Sequence, residues 1–168
     1  DAAVATLVPR EADPLFLPFL YGSNVDYPAK ACFLGLSSRH TRADVLRAVY
    51  EGCVFSHNTH LRRLYAFRPK PEVIRLTGGA ARSAVWAQMF ADVFQVPVEV
   101  PDGSELGALG AAIAAAVACG LHPSYEVAVA AMTRVARRHT PNPSRGEVYA
   151  GRYEKYLRAV GALKGFFA

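Results

Sequence analysis

The feature that most constrains this chain is a strand that runs straight into two glycines and then into a helix. Glu72 to Thr77 alternates and is rich in β-branched residues, Gly78-Gly79 follow, and Ser83 to Gln95 carries a helical pattern. The unit then repeats its logic. Val96 to Val100 is a second short strand, Pro101-Asp-Gly-Ser is a turn, and an alanine-rich helix runs from about Glu105 to Cys119 and stops at Gly120. Strand and helix alternate, which places the chain in the α/β class.

The flanks fit around this unit. Pro9 to Pro28 holds four prolines in a dense apolar cluster, so it is read as a connection wrapping on the core rather than a helix. Cys32 to Leu36 is a short apolar run. Thr41 followed by Asp44 resembles a weakened capping box, predicting a long helix that ends near Pro69. Val45, Leu46, Val49, Cys53, His57, Leu61, Leu64 and Tyr65 recur at helical spacing and are the predicted buried stripe. Beyond Gly120 the pattern predicts a short helix over 124–132, a proline-bounded connection over 139–143 and a terminal helix from Ser144 to about Gly165.

With 168 residues and 52% hydrophobic side chains, one core is expected. No apolar run is long enough to cross a bilayer, and the first residues lack the pattern of a secretory leader. Cys32, Cys53 and Cys119 form neither a disulfide framework nor a metal motif, so a cytoplasmic setting is expected. The formal charge of +5 is concentrated after Met132, where eight arginines and lysines face two glutamates. That run is read as a solvated helix face, because no aromatic interleaving or nucleic-acid motif accompanies it.

Three groups of residues invite a chemical reading. In Thr77-Gly-Gly-Ala-Ala-Arg-Ser83, glycines allow positive φ and close ligand approach, and the following helix start offers N–H groups to an anion or polar ring. A packing role for the glycines stands beside that one. Gly107, Gly110 and the alanines around them form neither a dinucleotide fingerprint nor a Walker loop and are read as a close-packing helix face. His57 and His60 lack a third ligand and are read as a core or interface pair, Cys53 as an inert thiol, and Asp102 and Glu105 as a helix cap.

Three blocks together resemble the C-terminal domain of the FGGY carbohydrate kinases. They are Ala31 to Leu36 with Asp44 to Glu51, the Gly78-Gly-Ala80 turn with Ser83, Trp86 and Asp92, and Leu106-Gly-Ala-Leu-Gly-Ala-Ala112. Phe16 to Asn24, Tyr50 to Leu61 and the terminal helix are most similar to the L-xylulose and 3-keto-L-gulonate kinases of that family, although Ser23-Asn24 stands where many relatives carry Glu-Arg. The resemblance implies a ribonuclease H-like fold of the actin-type ATPase superfamily, with residues 1–168 as the nucleotide-binding domain and the N-terminal sugar-binding domain outside the chain. It implies ATP and Mg2+ as cofactors, a small sugar as substrate, and no nucleic-acid or membrane partner. A homodimer is left open. Gly78, Gly79, Ala80 and Ser83 would bind nucleotide, while the catalytic aspartate and metal-associated acids would lie in the other domain, so the chain alone is expected to be inactive. A non-catalytic actin-like sensor or scaffold is the alternative.

Overall fold

The computed structural model describes residues 1–167. In chain order it contains α1 (Ala2–Ala5), β1 (Leu15–Leu17), β2 (Cys32–Leu34), α2 (Arg42–Leu64), β3 (Ile74–Arg75), a 3-10 turn (Ala80–Arg82) and α3 (Ala84–Phe94). Then come β4 (Val98–Pro101), α4 (Leu106–Ala118), α5 (Tyr125–Met132), β5 (Val135–His139), α6 (Pro143–Ala162) and α7 (Lys164–Phe167). β1 and β2 pair antiparallel, and a separate sheet has the order β3-β4-β5. β3 and β4 are parallel, as a strand-helix-strand unit requires, and β5 is antiparallel to β4. The α/β class read from the sequence is the observed one.

Capping chemistry sets the helix starts. At α2 the Thr41 side chain accepts from the Asp44 N–H and the Asp44 carboxylate accepts from the Thr41 N–H, a complete reciprocal box. Ser83 caps α3, Ser124 caps α5, and Asn142 caps α6 with Pro143 in its first turn. Gly120, at φ +74°, ends α4.

The main core joins Leu15, Leu17 and Phe19 to Val54, Phe55, Met89 and Phe90, and to Tyr149, Tyr153 and Tyr156 of α6. Its α2 face is not the predicted stripe. Arg47, Glu51, Val54, Phe55 and Asn58 are buried, whereas Leu46 and Leu64 are 41% and 59% exposed. Apolar periodicity missed this face because two of its members are charged. Arg47 Nε lies 2.8 Å from Glu51 Oε1, and Arg152 of α6 donates through Nε to Glu51 Oε2 at 2.9 Å. Arg47 also donates to the Tyr149 hydroxyl of α6 at 2.6 Å, and further guanidinium N–H groups hold the incoming segment: Arg47 donates to the Leu7 carbonyl, and Arg152 donates to those of Arg10, Asp13 and Pro14. Every charge in the network is therefore paired and hydrogen-bonded, the condition under which burial is tolerable. α2 also comes so close to β1 that a Cβ on Gly52 would sit 2.2 Å from the Phe16 carbonyl oxygen.

The basic run after Met132 is likewise different from its sequence reading. Arg134 precedes a strand, Arg137 and Arg138 lie within it, and Arg152 is buried, so these residues form no common solvated helix face. Arg138 pairs with Glu99 across the sheet at 2.9 Å. Among the described residues no helix is long and apolar enough to cross a membrane.

Candidate functional site

The glycine turn opens onto a cleft of about 620 Å³. Its walls are Thr77 and Gly78 at the end of β3, Ala81 and Arg82 of the 3-10 turn, Asp102 to Gly107 between β4 and α4, and Ala136 and Arg137 of β5. This is the crevice beyond the carboxyl ends of two parallel strands, the usual place for a ligand in an α/β sheet.

The two glycines have different reasons to be glycine. Gly78 has φ +78°, a conformation that a side chain would strain. Gly79 is right-handed helical, at φ −59° and ψ −42°, so the expected positive φ is found at Gly78 alone. A Cβ on Gly79 would meet nothing within 4 Å. Neither backbone conformation nor packing among the described residues demands glycine there; a ligand lying against the turn would.

The N–H groups at the turn come from the loop itself. Ala81, Arg82 and Ser83 N–H groups bond back to Gly78, Gly79 and Ala80 carbonyls, which closes the 3-10 turn and separates the glycines from the start of α3. The α3 N-terminus is instead sealed by Ser83, whose hydroxyl accepts from Trp86 N–H at 3.0 Å. The N–H groups of Gly78, Gly79 and Ala80 find no partner among the described residues. Three adjacent N–H groups without a described partner are available to an anion or to the acceptor edge of a ring.

Of the four residues singled out from the sequence, Gly78 lines the cleft, whereas Gly79 and Ala80 continue the same turn but are not among its walls. Ser83 lies behind them, 7% exposed, donating its proton to Asp1 Oδ1 at 2.7 Å. Sequence reasoning missed Arg137, which lines the cleft and donates to the Ala81 carbonyl, bracing the 3-10 turn from β5. The pairing of β5 with β4 brings it there, and a five-residue strand with three basic side chains gives little apolar signal.

Other candidates resolve plainly. Asp102 and Glu105 line the cleft, but Glu105 occupies the α4 N-cap position without a side-chain capping bond, which corrects the capping expectation. His60 Nε2 lies 2.9 Å from Asn24 Nδ2. His57 is exposed and packs its ring 5.6 Å from that of Phe90, and neither histidine is a core residue. Burial pushes the Cys53 thiol up, away from the reactive thiolate. No group of three or more His, Cys, Asp or Glu among the described residues could hold a metal ion.

Comparison with known proteins bears on the same elements. Residues 2–119 match the profile of the FGGY family of carbohydrate kinases, C-terminal domain. The chain is 41% identical over 168 residues to the L-xylulose/3-keto-L-gulonate kinase of Escherichia coli, which covers all of this chain and 34% of that protein. It is 40% identical over 162 residues to a probable L-xylulose kinase of Pasteurella multocida, covering 96% of this chain and 32% of the relative. The crystal structure of xylulose kinase from Rhodospirillum rubrum superposes with a TM-score of 0.87 at 31% identity, over 99% of this chain and 34% of that one. The chain thus spans about a third of the length of these relatives.

Proposed function

The chain belongs to the FGGY family of carbohydrate kinases, and from that premise we propose that it is the nucleotide-binding part of an enzyme that transfers the γ-phosphoryl group of ATP to a sugar hydroxyl. A ketopentose such as L-xylulose, or 3-keto-L-gulonate, is the substrate class that its similarity to kinases of those names supports. The observation that carries the reading is the turn at the cleft mouth, with three free N–H groups in succession and a glycine whose side-chain space is open.

In this reading Gly78, Gly79 and Ala80 seat the adenosine side of ATP, Ser83 fixes the turn from behind as the cap of α3, and Arg137 keeps it from collapsing into the cleft. The N–H groups offer donors that need no reorganisation when the nucleotide arrives. Phosphoryl transfer depends chiefly on positioning and charge neutralisation, and this chain supplies positioning at the nucleotide end. The base and the sugar contacts are assigned to the remainder of the kinase. Mg2+ would accompany ATP, and its acidic ligands are assigned to the remainder of the kinase. The small, exposed face of α4 beside the cleft is assigned to domain closure, where close approach excludes water.

Two measurements test this. ATP binding to this chain, followed by calorimetry, is expected to fall at least tenfold in Gly79→Val, with an unchanged melting temperature because the added side chain enters open space. Equal affinity in a folded variant would remove the turn from the site. The full-length kinase is expected to release ADP with L-xylulose or 3-keto-L-gulonate, and turnover with neither these, D-xylulose nor glycerol, despite ATP binding, would favour a nucleotide sensor or scaffold.

A further inference from the structure

A second cleft, of about 430 Å³, lies at the far end of the β3–α3 unit from the glycine turn. α3 begins beside the turn and ends at Gln95, eleven helical residues or about 16 Å away. There its last turn meets the C-terminal half of α2, the segment leading into β3, and the start of α6. Asn58, Arg62, Tyr65, Lys70, Gln95 and Tyr153 line this space.

The cleft concentrates unspent hydrogen-bond donors. Asn58 is 5% exposed, and its amide, which bonds to no other described residue, is left open at the cleft wall. The Tyr65 hydroxyl is buried and has no partner. Burial pushes its pKa up, so it stays a donor across the physiological range. Arg62 lies 4.9 Å over the Tyr153 ring and makes no ion pair with a described residue. Lys70 Nζ uses one proton on the Gln95 carbonyl at 3.0 Å and keeps two. No carboxylate lines the cleft. The Tyr65 hydroxyl, buried and unpaired, costs free energy that an acceptor in the cleft would offset, and the Asn58 amide and two cations stand beside it.

We propose that this cleft is a second ligand site, which takes a small organic oxyanion, a phosphate ester or a carboxylate, with Arg62 and Lys70 neutralising it and Asn58 and Tyr65 donating to its oxygens. The aromatic wall of Phe94 and Tyr153 covers the carbon skeleton of the ligand. Because β3 and α3 connect the two clefts directly, occupancy here would bear on the position of the glycine turn.

Amide chemical shifts of the whole chain, titrated with inorganic phosphate, glucose 6-phosphate and malonate at constant ionic strength, test the proposal. Saturable shifts at Lys70, Gln95 and Gly146 with roughly millimolar midpoints are expected for at least one probe, and the stronger of the phosphate and malonate arms identifies the anion. Arg62→Gln with Lys70→Gln, both on exposed positions, is expected to weaken these shifts at least tenfold, while Gly79→Val leaves them in place. Shifts confined to residues 78–80, shifts that rise linearly without saturating, or saturation unchanged in the double variant would each overturn it.

Discussion

α2 and α4 are the longest helices before α6 to flank the central unit, and they are built on opposite terms. α2 carries charges into the core: Arg47 and Glu51 are buried, and α6 contributes Arg152 to complete the network. α4 is almost wholly alanine, glycine and aliphatic residues, yet only Ile113 and Ala116 are buried. A helix that is apolar all round normally has something on every side. Polarity is thus a poor guide to burial in this molecule, because the buried charges are paired while the apolar face of α4 is left exposed.

Four substitutions or conditions sharpen that contrast, in descending order of effect. Glu51→Ala leaves two buried guanidiniums unpaired and is expected to cost about 3–5 kcal/mol, measured by urea unfolding; a loss no larger than that of a surface mutation would break the account of the α2 side. Gly52→Ala presses a Cβ against the Phe16 backbone oxygen and is expected to cost about 1–3 kcal/mol, because a carbonyl in β1 cannot turn aside as a side chain would. The same assay reads it.

The third concerns pH. Burial, reinforced by Arg137, holds His139 below the usual imidazole value, and Asp92 pulls the other way. Its Nε2 is buried without a partner. The unfolded chain therefore takes up the proton first as pH falls, so this contribution is intact above the unfolded pKa of 6.5 and is lost as pH drops toward the lowered folded value. Melting temperatures measured across that window should decline, and His139→Gln should flatten the slope. The smallest effect belongs to α4, where Ala111→Glu on the exposed face should change stability by less than about 0.5 kcal/mol. A large loss in the same unfolding assay would show that the face is packed after all.

Much of the architecture was readable because it rests on local chemistry. The Thr41–Asp44 box, the glycines after β3, the helix start at Ser83 and the Gly120 stop each act within a few residues, and each marks an observed boundary. What escaped reading depends on partners far away in sequence. β1 is hidden in a proline-rich connection and is defined by its pairing with β2. β5 has the composition of a charged loop and becomes a strand because β4 offers it an edge, with Arg138 facing Glu99. The turn at Gly78 and Gly79 was legible as a candidate site; its bracing by Arg137 was not, because the bond spans fifty-six positions.

The ring of carbonyls around Arg47 and Arg152 has a mechanical side. Tension applied ahead of α1 would meet Asp1, held by the Tyr50 and Ser83 hydroxyls, and the buried Val4 before it reached Leu7, where Arg47 holds the backbone to α2; three more carbonyls, at Arg10, Asp13 and Pro14, tie it to α6. Load is shared between two helices before it reaches β1, so the sheet is shielded from pulling.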